Sequence, residues 1–491
     1  MSKKQKIAMG QEGIYDAKVL GLPRMLVLGL QHLFAMFGAT VLVPLLTGLP
    51  VSTTLLMAGL GTLLFHLICG GKVPAFLGSS FAFLGGYAAV KTTLSTLDPN
   101  MSEPTQLAYA SLGVACAGLV YLILAALFAI FPVEKVMRFF PPVVTGPIII
   151  AIGLILAGSA VSNCKTNWLL ALIALVVVVV FNIWGRGMSK IVPILLGVIV
   201  SVAVAVVLAL TCGQTISVDG VEYIALAGKE NFILFSKANL DNLVNAKWIG
   251  LPISSDYWVF TNIKNGSFAL TSIIAVVPIA FASMMEHIGD VSAISATTER
   301  NFLANPGLKR TLVGDGLATS LSALFGGPAN TTYGENTGVL ALTKVYDPKV
   351  VRIAAVFAII LSFSPKVAAA IYLMPTAVIG GISFILYGMI SGIGIRNMVE
   401  NKVDLKKSRN LIITAIILVC ALGLGDGIKF SIGKMSITLT ALAVASIAGI
   451  LINAILPGND YKFKMEEYSN GKPRQEKAQK AAEVQQPVEE K

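Results

Sequence analysis

Runs of about 20 mostly apolar residues recur from residue 24 to residue 456, each long enough to cross the hydrocarbon core of a bilayer. Charged residues are 13% of the 491-residue chain and apolar ones 55%, with a mean hydropathy of +0.78. A soluble domain carries roughly 25% charged residues, so most of this surface is built to avoid water. Fitting the runs predicts an all-α polytopic membrane protein with about 14 crossings, several interrupted by Gly or Pro.

The net charge of +11 does not point to a nucleic-acid partner. Its basic residues lie in short loops and tails, as topology signals do, not in a stripe interleaved with aromatics. Cys69, Cys116, Cys164, Cys212 and Cys420 show no CxxC spacing, which excludes a zinc ribbon or a disulfide framework by pattern. GxSxG, HExxH and a Walker lysine loop are absent from the sequence, so no enzymatic constellation competes. No metal or organic cofactor is expected, and with no ATP-binding domain, transport would be facilitated or driven by an ion gradient.

The spacing predicts helices near 24–45, 52–70, 106–131, 141–162, 168–184 and 190–211. A second set follows near 268–295, 308–326, 350–370, 374–397, 408–425 and 435–456. Segments 74–90 and 328–345 do not read as simple helices. Residues 212–267, rich in Asn, Ser and Thr, read as an extracytoplasmic loop, and 1–23 and 457–491 as cytoplasmic tails. The apolar segment after residue 23 exceeds a signal-peptide core, so an uncleaved first helix is expected. Placing the N-terminus inside puts 28 Lys and Arg on the inner side and nine on the outer, of the 37 in the chain. The asymmetry supports that orientation.

Pro74-Ala-Phe-Leu-Gly-Ser-Ser-Phe81 in the first half is echoed by Pro328-Ala-Asn-Thr-Thr-Tyr-Gly-Glu335 in the second. Both are short and rich in small residues; Phe81 and Glu335 each fall seven residues after the proline. Seven spans per half force the halves, 24–211 and 268–456, into opposite orientations. Short Gly-interrupted segments at matching places in inverted halves point to a substrate site near the bilayer midplane. The bland alternative is a pair of ordinary re-entrant turns.

Four carboxylates fall inside predicted spans: Glu286, Asp290, Asp315 and Glu335. A charge at membrane depth is costly, so such residues mark cavities, proton sites or substrate contacts. Asp315 has a second reading, snorkelling to water beside Lys309 and Arg310. Glu286 and Asp290 are four apart and share one helix face, which makes either a candidate proton carrier. His287 points about 100° round the helix from Glu286 and reads as a packing or helix-orienting residue. Around Glu335, Thr, Tyr and Gly disfavour helix, so Glu335-Asn336 would open a half-helix whose first amides have no intrahelical acceptor. Those amides would donate to carbonyl oxygens, the carboxylate would accept from N–H groups, and Phe81 offers an aromatic face or core packing. A neutral heteroaromatic ring with alternating C=O and N–H edges fits such a site.

Glu335-Asn-Thr-Gly-Val-Leu-Ala-Leu-Thr-Lys344 resembles the signature of the nucleobase–ascorbate transporter family. Gln31-His-Leu-Phe-Ala-Met-Phe-Gly-Ala-Thr40, Gly78-Ser-Ser-Phe-Ala-Phe83 and Thr331-Thr-Tyr-Gly-Glu335 are similar to its uracil carriers, and the likeness covers essentially residues 20–456. It implies two inverted 7-segment repeats with short extended stretches in segments 3 and 10. A core domain (24–131 plus 268–370) would hold substrate against a gate domain (141–211 plus 374–456). It further implies a multi-pass protein of the bacterial inner membrane, proton symport and a homodimer. Carried over by position, Glu286 and Glu335 would bind the uracil ring, the amides of Phe81 and Gly334 its carbonyls, and Tyr333 and Ser80 would line the pocket. Proton coupling would fall to Glu286, Asp290 or His32, and Asp315 and Asn336 are further site candidates. Glu335 in the signature's first position favours uracil, whereas Asp290 stands where the uracil carriers have His, and leaves xanthine, guanine or urate open. A more distant alternative is an anion carrier of the related sulfate-carrier architecture.

Overall fold

The computed structural model describes residues 13–425, 427–432, 435–459 and 461; the outer parts of both expected tails lie outside them. With no water in the bilayer core, each spanning segment must satisfy its own backbone, and the apolar runs become helices for that reason. The first half contains α1 (Leu22–Thr47), α2 (Val51–Ile68), β1 (Leu77–Ser79), α3 (Leu84–Leu97), α4 (Glu103–Ile130), α5 (Pro142–Cys164), α6 (Trp168–Trp184) and α7 (Pro193–Cys212). Then come β2 (Gly213–Val218), β3 (Val221–Leu226), β4 (Ile233–Ser236) and α8 (Lys237–Asn245). The second half holds α9 (Gly266–Val276), a tight turn at Pro278, α10 (Ala280–Thr298), α11 (Leu308–Leu324), β5 (Asn330–Thr332) and α12 (Gly334–Thr343). It ends with α13 (Pro348–Ser362), α14 (Pro365–Tyr372), α15 (Thr376–Glu400), α16 (Ser408–Gly423), β6 (Ile428–Ile432), β7 (Met435–Leu439) and α17 (Ala441–Ile455). Two seven-segment halves result, segments 3 and 10 being a strand followed by a helix.

Four expectations need correction. The helix expected over 350–370 is two, α13 and α14, bent by 87°. Ser364, extended at φ −108° and ψ 98°, precedes Pro365, and the proline ring disfavours helix at the residue before it. The run expected as helix from 435 begins as a strand, because Met435-Ser-Ile-Thr-Leu439 pairs with β6 in a hairpin. Segment 3 runs on to Leu97, not 90. Last, the 212–267 loop is folded: β2 and β3 join through Asp219-Gly220, with φ of 51° and 80°, and β4 completes a three-stranded antiparallel sheet. Asp-Gly between alternating apolar residues is a hairpin signal that a reading by composition passes over.

The helices pack in two bundles. In one, α11 lies on α2 and α4, and α13 on α1 and α2; in the other, α15 lies on α5 and α6, with α16 and α17 on α5. Residues 14–20, expected as tail, dock on the first bundle: Ile14 bridges to Val345 and the Ala17 amide donates to Asp347 Oδ2 at 2.8 Å.

In lipid, helices gain little from burying apolar surface and associate by close approach of small residues. Gly118 of α4 and Gly316 of α11 face each other, and a Cβ on either would fall 2.5–2.6 Å from the other's carbonyl oxygen. Gly118→Val should therefore cost about 1–3 kcal/mol through overpacking. It is expected to lower the Tm of the detergent-solubilised protein, and an unchanged melt would show that this crossing is not tight.

Candidate functional site

The site is built on two short strands that cross inside the first bundle. β1 and β5 pair antiparallel, Leu77 with Thr332, Gly78 with Thr331 and Ser79 with Asn330. The Ser80 amide donates to Ala329 O at 2.8 Å and the Tyr333 amide to Phe76 O at 3.0 Å, extending the ladder by one rung each way. Its centre is the Gly78–Thr331 pair, so the equivalent of Phe81 across the pseudo-twofold is Gly334. Counting from the prolines, which matched Phe81 to Glu335, is off by one because β1 starts three residues after Pro74 and β5 two after Pro328. Each strand runs into a helix, a tight turn at Phe81–Phe83 leading to α3, and α12 beginning at Gly334. First-turn amides of such helices have no intrahelical acceptor, and the two sets face back toward the crossing from its opposite ends.

Side chains sew the crossing to the bundle. Thr62 Oγ1 of α2 accepts from the Leu77 amide at 2.9 Å, and Thr319 Oγ1 of α11 donates to Asn330 O at 2.6 Å. The Asn330 side-chain amide donates to Met57 O at 3.0 Å. Tyr333 donates its hydroxyl proton to Ser79 O at 2.9 Å, with Thr40 Oγ1 at 3.3 Å. That hydroxyl is thus engaged by β1 and α1, so Tyr333 serves to hold the crossing. Its ring fills the space over Gly78, where a Cβ would sit 2.5 Å from the ring.

Across this crossing lies α10. Glu286 and Asp290 share its face as their spacing predicted, both partly exposed. One carboxylate oxygen of Glu286, Oε2, is buried without a hydrogen-bond partner. Asp290 Oδ2 accepts from Thr332 Oγ1 at 3.0 Å, and a Cβ on Gly334 would lie 3.6 Å from Asp290 Oδ1. Glu335 opens α12 alongside, partly exposed. His287 ties α10 to its neighbours: its Nδ1 is 3.4 Å from Thr332 Oγ1 and 3.4 Å from Asp315 Oδ2, and both His287 and Asp315 are fully buried. Asp315 does not snorkel beside Lys309 and Arg310; it lies further along α11 and faces α10. Ser80 Oγ is 3.4 Å from Ser283 Oγ, tying β1 to α10.

Asn336 and His32 form a separate pair. The Asn336 side-chain nitrogen donates to His32 O at 3.1 Å and lies 3.1 Å from His32 Nδ1. An amide NH2 only donates, so Nδ1 accepts and the ring proton sits on Nε2, which is buried and unpartnered. His32 thus fastens α1 to α12, outside the Asp290–Thr332–His287 group.

Phe81 reaches the other bundle. Its ring meets Tyr387 of α15 edge-on, with centroids 5.9 Å apart and planes at 78°. Phe81 also lines a cavity of about 390 Å³, whose walls include Thr92, Thr96, Ile152, Lys429 and Thr438. Thr332 and Tyr387 escaped the sequence reading. Thr332 lies in the echoed segment and carried a signal by position; Tyr387, within an apolar helix, carried none. Among the described residues no cluster of three or more His, Cys, Asp or Glu is placed to hold a metal ion.

A family model, Xan_ur_permease, described as a permease family, matches residues 23–430. The chain belongs to this family. The permease is 38% identical over 454 residues to the uracil permease of Bacillus caldolyticus, covering 91% of this chain and 94% of that one. It is 37% identical to the uracil permease of Bacillus subtilis (strain 168), covering 87% and 91%. It is 39% identical to the putative pyrimidine permease RutG of Escherichia coli (strain K12), covering 88% and 89%. In fold it resembles the transmembrane domain of the cyanobacterial bicarbonate transporter BicA, with a TM-score of 0.58 at 16% identity over 84% of this chain and 98% of that one. The anion transporter SLC26A9 superposes with a TM-score of 0.60 at 13% identity over 90% of this chain and 66% of that one. These structures share the two-repeat core-and-gate fold, so the permease is a multi-pass membrane protein of that architecture.

Because the Tyr333 hydroxyl braces the crossing, Tyr333→Phe should destabilise the permease by about 1 kcal/mol, the net worth of one buried hydrogen bond. A small drop in Tm with transport largely kept is expected; abolished transport at unchanged Tm would instead give that hydroxyl a part in binding.

Proposed function

We propose that this permease imports uracil by proton symport, with alternating access between the two bundles, across a bacterial inner membrane. Both termini would be cytoplasmic and the working unit a homodimer. The observation that carries the reading is the convergence, on one strand crossing, of two helix starts and two carboxylates. Amides at Phe81 and Gly334 would donate to the ring's carbonyl oxygens, and Glu286 and Glu335 would accept from its N–H groups. Such complementarity suits a neutral ring with alternating acceptors and donors, and the names of the similar permeases support the same choice. The cavity at Phe81, walled by α3, α5 and α17, supports alternating access, since it opens beside one of the two helix starts. Glu286 and Asp290, facing the site from one helix, are the proposed proton carriers; His32, bound through Asn336, and Asp315, behind His287, stand further back.

A purine is the second reading, and one observation favours it. Asp290, held by Thr332 beside Gly334, puts an acceptor where the uracil carriers have a histidine. An anion as substrate is disfavoured, because carboxylates in a low-dielectric site repel it strongly.

In cells lacking their own permeases, labelled uracil uptake is expected to collapse with a protonophore and to resist excess unlabelled xanthine. Uptake blocked by xanthine, or no uracil uptake at all, would put the purine reading first. Glu335→Gln is expected to raise the KM for uracil about tenfold or more, the cost of losing a charge-assisted hydrogen bond. Unchanged uracil kinetics in that variant would remove Glu335 from ring binding.

A further inference from the structure

The folded outer loop carries a tip of four residues, Trp248-Ile-Gly-Leu251, whose large side chains are exposed. Trp248 is 73% exposed, Ile249 82% and Leu251 81%. Exposed apolar patches of this kind mark a partner or a membrane.

The tip is hydrogen-bonded to the first bundle. The Gly250 amide donates to Phe363 O at 2.9 Å, and the Lys366 amide to Lys247 O at 3.0 Å. Thr53 Oγ1, at the start of α2, donates to Pro252 O at 2.7 Å. Backbone bonds thus fix both sides of the tip and leave its apolar side chains free.

Its level in the membrane follows from α13 and α14. α13 and α14 together are apolar enough to span and are broken by an 87° bend, and the charge of Lys366 at the start of α14 puts that bend outside the hydrocarbon core. Val356, Ile360 and Phe363, at helical spacing and 40–60% exposed, form the lipid-facing stripe of α13. Phe363 carries the carbonyl that binds Gly250, so the tip continues this stripe at its outer edge. Lys366 Nζ lies 5.8 Å from the Trp248 ring centre and donates to Val244 O at 3.0 Å. Trp at the boundary between chains and headgroups, with Lys beside it, is the pattern of an interfacial anchor.

We propose that Trp248, Ile249 and Leu251 insert into the outer leaflet at the boundary of headgroups and acyl chains, anchoring the strand-bearing bundle to the lipid surface. The occupant is phospholipid, because the patch continues a lipid-facing helix stripe and carries a cation at headgroup level.

The full chain is reconstituted in phosphatidylcholine nanodiscs, with bromine placed either near the headgroup or near the chain end. Trp248 emission is taken as the difference between the unaltered protein and Trp248→Phe, a change mild enough to keep the fold. Blue-shifted emission that loses most of its intensity to the shallow bromines, and less to the deep ones, is expected. Long-wavelength emission quenched by neither lipid would place the tip in water and overturn the proposal. Blue-shifted emission quenched by neither would place Trp248 against a second copy of the chain, and would overturn it equally.

Discussion

Backbone hydrogen bonding inside the bilayer is the constraint on which the rest of this structure depends. Irregular backbone at membrane depth survives only where protein or a cavity satisfies it. β1 and β5 break two spanning segments, so each must supply the other's partners, and the antiparallel pairing of Leu77–Ser79 with Asn330–Thr332 does so. From that pairing follow Gly78, where Tyr333 leaves no room for a side chain, and the threonines and asparagine that bind the crossing to α1, α2 and α11. The pairing also sets one helix start at each end of the crossing, and these frame the candidate site.

Around this point the polar groups are neither scattered nor fully satisfied. Thr332 joins Asp290 to His287, and His287 lies against Asp315. Glu286 keeps one buried oxygen without a partner. Buried polar groups left open are costly, and a protein keeps them where a ligand, a proton or water completes them. The Phe81–Tyr387 contact adds that the site lies against the second bundle, so a shift between bundles alters its surroundings directly.

Legibility varied with the range of the interaction. The long apolar runs were plain because lipid imposes a length and a composition on each span. The two broken segments showed themselves through clustered small residues, and Glu286, Asp290 and Glu335 through the rarity of carboxylates in such runs. The bend at Pro365 and the Asp219-Gly220 hairpin are local, and turn chemistry alone announces them. The one-residue offset between the proline count and the strand register was different in kind. It depends on which backbone groups pair across more than 250 residues of chain, and no local pattern carries that.

By itself the sequence determined that this chain spans a membrane many times, in two inverted halves, with acidic groups at depth near two broken segments. Composition, periodicity and charge placement are local properties, and the bilayer reads them locally. Tertiary structure alone decided that Thr332 links Asp290 to His287, that Asp315 turns inward, and that Tyr387 meets Phe81. Each depends on side chains brought together from distant segments, where hydrogen-bond geometry and close packing select among arrangements that the sequence pattern leaves equal.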